Sequence, residues 1–368
     1  MKPLLLAALL CGPAFAADGD GFVPLFNGRD LSGWVNANCA PETWSVTNGM
    51  IHCTGKPTGA MRTERQYENF IMEAEWRHLS SGGNSGIFIW GTPIAAPGVP
   101  FLRGIEVQVL DHGFNVKGKN EWYTTHGDVF PIHGAKMKPF GRHNGDRSFP
   151  SEERSKPSPE WNHYRIVCTN GTLRLSVNGK EVSGGEDCNY RKGYLALESE
   201  GAPVEFRNVR IKEFPSSHPP NEICAPQDEG FRTIFTGLDV RGWNGAAGWT
   251  VEGERLRFKP ESGGAASTLR TDKEYGDAEF IFDVRGSKES PQPITVELRG
   301  VPIALELGAS GNYTRFRVSV KGGEVTVQRD GKETSRQAPA KSMPARGPFA
   351  LSSKGSVELM NLYARELR

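Results

Sequence analysis

Alternation with a period of two runs through most of the chain. Phe70, Met72, Ala74 and Trp76 are interleaved with Ile71, Glu73, Glu75 and Arg77. Successive side chains of a strand point to opposite faces, so this spacing predicts a strand with one face buried. Leu173, Leu175 and Val177 alternate with Arg174 and Ser176, then run into Asn178-Gly179. Asn-Gly is the favoured two-residue hairpin turn because both positions take positive φ. Asp330-Gly331 predicts the same turn late in the chain. No amphipathic stretch longer than a turn or two predicts a helix. Strand after strand, separated by Gly- and Pro-rich turns, predicts an all-β sandwich or jelly roll.

The pattern also repeats. Phe22-Val-Pro-Leu-Phe26-Asn-Gly28-Arg-Asp-Leu-Ser-Gly33-Trp34 returns as Phe231-Arg-Thr-Ile-Phe235-Thr-Gly237-Leu-Asp-Val-Arg-Gly242-Trp243. Further matches follow in the same order. Trp44 to Gly49 pairs with Trp249 to Gly253, Arg62-Thr63 with Arg270-Thr271, and Asn178-Gly179-Lys180 with Asp330-Gly331-Lys332. Ordered self-similarity of this kind predicts two tandem domains of one fold. The polar, Pro-rich Pro215-Ser-Ser-His-Pro-Pro-Asn221 predicts an extended linker between them. The expected division is a leader over 1–17, a first domain over 18–214, a linker over 215–228 and a second domain over 229–368.

Composition adds compartment and partner class. The chain has 368 residues, with 44 basic against 43 acidic side chains. That balance gives no reason to expect nucleic acid or an anionic membrane as partner. Lys2, the apolar run Pro3 to Leu10 and the small-x-small Ala14-Phe15-Ala16 have the form of a cleaved signal peptide, which predicts a secreted or periplasmic protein. In an oxidising space Cys39 with Cys53, and Cys168 with Cys188, are the local pairings for disulfides, although sequence alone does not fix connectivity.

Candidate chemistry collects in the first domain. Seven of the eight His lie between His52 and His163, and the eighth, His218, is in the linker. In Ile105-Glu106-Val107-Gln108-Val109 the apolar residues share one face, and Glu106 and Gln108 share the other. Two long polar side chains in line could take several sugar hydroxyls; the same pattern also describes an ordinary solvated sheet face. Gly82-Gly83-Asn84-Ser85-Gly86 lets backbone approach a ligand closely, with Asn84 and Ser85 as donors and acceptors. Trp90 is an aromatic for stacking on a sugar ring or, equally, for core packing. The loop from Trp122 to Gly134 carries His126, Asp128 and His133, which suit acid–base work or simple solvation. Arg103 and Lys138 could supply positive charge. No zinc spacing, acyl-transfer elbow, Walker loop or dinucleotide fingerprint is present.

These landmarks carry a family resemblance. Phe-x-x-Leu-Phe-Asn-Gly-x-Asp-Leu-x-Gly-Trp at Phe22–Trp34 resembles the opening of the 3-keto-disaccharide hydrolase domain family, also described as 3-keto-glucoside 1,2-lyase and 3-keto-2-hydroxyglucal hydratase. Asn84-Ser85-Gly86-Ile87, Gly104-Ile105-Glu106-Val107-Gln108, Glu160-Trp161-Asn162 and Phe206 to Ile211 resemble its further landmarks. The resemblance implies a concanavalin-A-like β-sandwich that cleaves glycosides oxidised at C3. That chemistry needs a base beside the C2 proton and donors at an enolate oxygen. Among the residues above, Glu106, Asp128 and His126 are the acid–base candidates, with Arg103, Lys138, Gln108 and Asn84 to hold hydroxyls and the developing oxyanion. A divalent metal ion could replace those donors. Where the family often shows Leu-Gln-x-His-Gly, this chain has Leu197-Glu198-Ser199-Glu200-Gly201. Glu198 and Glu200 therefore stand in the substrate-binding set, with His126 or His133 available as the missing imidazole. A lectin-like module without catalysis and a conventional two-carboxylate glycosidase are the alternative functions.

Overall fold

The computed structural model describes residues 19–115, 121–260, 266–288, 292–308, 311–338 and 343–367. The leader expected over 1–17 lies outside them. The chain is all-β, in two tandem β-sandwiches.

Each sandwich is a pair of antiparallel sheets. In the first, the back sheet runs in the order Lys138–Pro139, Lys180–Glu186, Thr172–Val177, Asn162–Thr169, Phe70–His78, Val204–Glu213, Met50–Cys53 and Trp44–Thr47. The front sheet runs His143–Asn144, Arg147–Ser148, Val129–Ile132, Gly104–Leu110, Asn84–Gly91, Tyr194–Ser199, Gly59–Thr63 and Trp34–Asn36. Alternate residues of both sheets interdigitate between them: Met72, Ala74 and Trp76 meet Ile87, Val107 and Leu197 in one buried cluster. At the Asn178-Gly179 turn both φ values are positive, 47° and 86°, as a two-residue hairpin of this twist requires.

The second sandwich follows the same strand order. Trp249–Glu252, Arg255–Phe258, Val357–Glu366, Ala278–Gly286, Thr314–Lys321, Glu324–Arg329 and Lys332–Gln337 form its back sheet. Trp243–Asn244, Ser267–Tyr275, Gly347–Ser353, Ile294–Leu298 and Val301–Leu305 form its front sheet. Even the anchoring bonds correspond: Trp34 Nε1 donates to Leu25 O at 2.9 Å, and Trp243 Nε1 to Ile234 O at 2.9 Å.

The Pro-rich connection is fastened to the first sandwich, where the Glu68 carboxylate accepts from Ser216 Oγ at 2.5 Å and from Ser217 N at 2.7 Å. The disulfide expectation changes. Cys39, Cys53, Cys168, Cys188 and Cys224 are free thiols, with no disulfide at either local pairing. Cys39, Cys53, Cys168 and Cys188 pack in the first core as small apolar side chains. Burial pushes the Cys53 thiol up to about 11 and the Cys188 thiol up to about 12.

Candidate functional site

The front sheet of the first sandwich carries polar chemistry on the face turned away from the core. Strand Gly104–Leu110 sends Ile105, Val107 and Val109 into the core, and Glu106 and Gln108 the other way. Register then decides what meets them. Gly86 lies opposite Gln108, Phe88 opposite Glu106, and Leu197 opposite Ile87. Glu198 therefore comes up beside Gly86, across from the strand that holds Glu106.

Gly86 is small for a reason. A Cβ there would stand 2.9 Å from Glu106 Oε1 and 2.9 Å from Glu198 Oε2, so only a hydrogen lets the two carboxyl groups share this spot. Gln108 Nε2 donates to Asn84 Oδ1 at 3.0 Å and to Glu106 Oε1 at 3.3 Å. Asn84 Nδ2 donates to Glu200 Oε2 at 2.6 Å, and Ser85 Oγ to Glu198 O at 2.8 Å. Glu106, Gln108, Asn84, Ser85, Glu198 and Glu200 thus form one connected group drawn from three neighbouring strands and, at Glu200, from the residue just past the third.

The electrostatics of that group are unusual. Glu198 is 1% exposed, and its Oε2 has no hydrogen-bond partner. Burial, then the charge of Glu200, pushes Glu106 up to about 8. Burial, then Glu106 and Glu200, holds Glu198 well above the carboxylate range, and burial also raises Glu200. Carboxyl groups this close cannot all ionise, so the cluster holds protons at neutral pH.

A stability consequence follows with a definite sign. Below about 4.5 Glu106 is protonated whether the chain is folded or not; between 4.5 and about 8 the folded protein keeps a proton that the unfolded chain releases. Glu106 therefore contributes stability that is lost as pH rises through about 8. The melting temperature is expected to fall from pH 5 to pH 8, and Glu106→Gln to flatten that slope, as calorimetry across the range would register.

Arg147 belongs to the site although nothing in its local sequence marks it. It reaches the site because Ser148 pairs with Val129 and so joins the short strand Arg147–Ser148 to the front sheet. Its guanidinium lies 3.4 Å from the Phe130 ring centroid, and it donates to Asp128 Oδ2 at 3.0 Å and Gln108 Oε1 at 3.3 Å. It is the cation beside Glu106.

The remaining candidates do not join this group. Asp128 is fully buried, and its oxygens are taken by Thr124 N, Thr124 Oγ1 and Arg147; it positions Arg147 rather than facing a ligand as a base. His126 sits in a separate cavity with Tyr123, Arg142 and Glu153, where its Nδ1 lies 3.1 Å from Ser155 Oγ. His133 stacks on Phe101, and Arg103 lies over Tyr190; both line the cleft between the two sandwiches. Lys138 is on the edge of the back sheet, 69% exposed and paired with Glu186 at 2.8 Å.

Trp90 is a core residue, not a stacking platform. The ladder between Asn84–Gly91 and Tyr194–Ser199 shifts register between Tyr194 and Ala196, and Trp90 takes φ of 54°. Such a bulge re-aims a side chain. Trp90 turns into the core beside Ile89, fully buried, with its Nε1 donating to Glu68 O at 3.0 Å.

Among the described residues, the second sandwich holds no copy of this group. With Val296 at the place of Ile87, register puts Pro302, Ala304 and Ser352 where Glu106, Gln108 and Glu198 stand. It does approach the first domain's site. Glu254 Oε1 accepts from Thr58 N at 2.9 Å, next to strand Gly59–Thr63, which pairs with the strand bearing Glu198. Among the described residues, no three His, Cys, Asp or Glu side chains come together as a metal-holding set.

Comparison with known proteins finds similarity over this first domain. The profile of the 3-keto-alpha-glucoside-1,2-lyase-like domain matches residues 21–212. A 3-keto-disaccharide hydrolase of Bacteroides thetaiotaomicron is 23% identical over 264 residues, covering 56% of this chain and 83% of that protein. Among solved structures, a candidate glycosyl hydrolase of Parabacteroides distasonis is similar at 22% identity and a TM-score of 0.42, over 53% of this chain and 95% of its own. The carbohydrate binding module CBM66 from Bacillus subtilis is similar at 14% identity and a TM-score of 0.37, over 49% and 96%.

Proposed function

The chain belongs to the 3-keto-alpha-glucoside-1,2-lyase-like family, and from that membership we propose that it cleaves 3-keto-glycosides by elimination and hydration, on the outer face of its first sandwich and outside the cytoplasm. The observation that carries the reading is the pair Glu106 and Glu198 across Gly86, one poised near neutral pH and the other held protonated.

The chemistry needs that pair. A ketone at C3 acidifies the proton on C2. Glu106 as carboxylate removes that proton, and the electron pair moves toward the C3 oxygen as an enolate. A base works best with its pKa near the operating pH, which is where burial puts Glu106. The enolate then expels the C1 substituent, and Glu198 gives its proton to the departing oxygen. Water adds back at C1, and a proton returns to C2. Arg147 and Gln108 are the donors beside Glu106 for the enolate oxygen. Asn84 and Glu200 hold sugar hydroxyls.

Two protonatable carboxyls side by side also suit ordinary glycoside hydrolysis, so the test uses both substrates. The full chain is incubated in D₂O with a 3-keto-glucoside and with its unoxidised parent, and products are followed by NMR. Release from the keto substrate alone, with deuterium at C2, is expected. Turnover of the parent would replace the proposal with conventional hydrolysis. Binding of either sugar without turnover would replace it with a lectin-like module.

A further inference from the structure

We propose that the cleft between the two sandwiches is a second binding site, built for a small carboxylate carried on an apolar body. The cleft has a volume of about 360 Å³, within the range of small-molecule sites. Its walls are apolar and come from both domains: Ile94 and Pro97 from the first, Phe231 and Ile281 from the second. It is separate from the acid cluster. None of the residues that line it belongs to that cluster.

Among the described residues, the charged groups that line the cleft, Arg103 apart, each have an oppositely charged partner. Asp228 is held by Arg62 at 2.6 Å and Arg232 at 3.1 Å. Glu229 is held by Arg317 at 2.7 Å and Arg365 at 3.1 Å. Arg315 is held by Asp283 at 2.6 Å. Arg103 has no carboxylate partner among the described residues. Its guanidinium lies 4.5 Å from the Tyr190 ring centroid, and its Nε is buried with no hydrogen-bond partner. A buried donor without an acceptor is unfavourable, and an incoming oxyanion removes that cost. A guanidinium meets a carboxylate in a two-bond fork.

The ligand class follows from this arrangement. Arg103 is the guanidinium of the cleft without a carboxylate partner among the described residues, and a carboxylate is the group that it would take. Apolar walls on both sides call for a hydrocarbon or aromatic body behind the carboxylate. His133, stacked on Phe101, lines the cleft as well. Since each domain supplies a wall, the site exists only when both sandwiches are present. That gives the second domain a role that its missing carboxylates deny it in glycoside chemistry.

The test is calorimetric titration of the full chain with three probes: benzoate, its neutral counterpart benzyl alcohol, and inorganic phosphate. Benzoate is expected to bind at least tenfold tighter than either of the others. Arg103→Gln is expected to weaken benzoate at least tenfold, with Arg103→Lys between Arg103→Gln and the wild type. Ile94→Trp, which fills the cleft beside Phe231 and Ile281, is expected to abolish binding. Equal binding of benzyl alcohol would overturn the charge assignment, and equal binding of phosphate would overturn the apolar one. Benzoate affinity unchanged in both Arg103→Gln and Ile94→Trp, each with a wild-type melting temperature, would place the ligand elsewhere and sink the proposal.

Discussion

Glu198→Gln is expected to slow turnover of a 3-keto-glucoside by roughly a hundred- to ten-thousandfold, the usual worth of a positioned proton donor. The substitution keeps shape and volume, so the fold has no reason to change. It removes a group that burial and its neighbours hold well above the carboxylate range. Glu106→Gln is expected to cost as much from the other side of the reaction, by removing the base. A double substitution should cost little more than either alone, because groups that act as a unit are not additive. Gly86→Ala tests the geometry without touching either carboxyl. Its methyl would stand 2.9 Å from an oxygen of each, and both would have to move. Steady-state kinetics on the three variants, beside melting temperatures at or above wild type for the two Gln variants, would carry the assignment. Near-wild-type turnover in Glu198→Gln would remove Glu198 as acid, and the same result in Glu106→Gln would remove Glu106 as base.

The parts of this site legible in sequence are those that strands carry. Period-two alternation places Glu106 and Gln108 on one face, and the Gly-rich turn and strand place Asn84 and Ser85 next door. Hydrogen bonds between adjacent strands make those four a unit. Glu198 and Glu200 stand out only against the family pattern, because nothing local says which strand Leu197-Glu198 will lie beside. Residues on connections scatter. His126, His133, Arg103 and Lys138 are close in sequence, but the loops between them lead to a side cavity, the interdomain cleft and the far sheet. Trp90 fails for a different reason. Alternation puts it with Phe88, and a bulge invisible to alternation turns it inward. Arg147 had no signal at all, since a two-residue strand is too short to show a period.

Asp283→Ala is expected to destabilise the protein by about 3–5 kcal/mol, the cost of leaving a buried charge without its partner. Asp283 lies on the second sandwich and is fully buried. Its carboxylate holds Arg315 at 2.6 Å and 2.8 Å, Gly98 N at 2.9 Å and Asn361 Nδ2 at 2.7 Å. Arg315 in turn donates to Ala95 O, and Asn361 to Val99 O. The segment from Ala95 to Leu102 is therefore clamped by the second domain, and Leu102 packs on Phe88 and Ala196 beside the acid cluster. Removing the carboxylate orphans Arg315 and frees the clamp together. A double variant, Asp283→Ala with Arg315→Met, should lose less than the sum of the two single changes, because the stranded charge is gone. Hydrogen exchange separates this from a general loss of stability. Amides from Ala95 to Leu102 should exchange faster in Asp283→Ala while the core strand Asn162–Thr169 keeps its protection. Unchanged exchange at Ala95 to Leu102, with the same fall in melting temperature, would mean that the second sandwich stabilises itself through Asp283 and does nothing to hold the wall of the first domain's site.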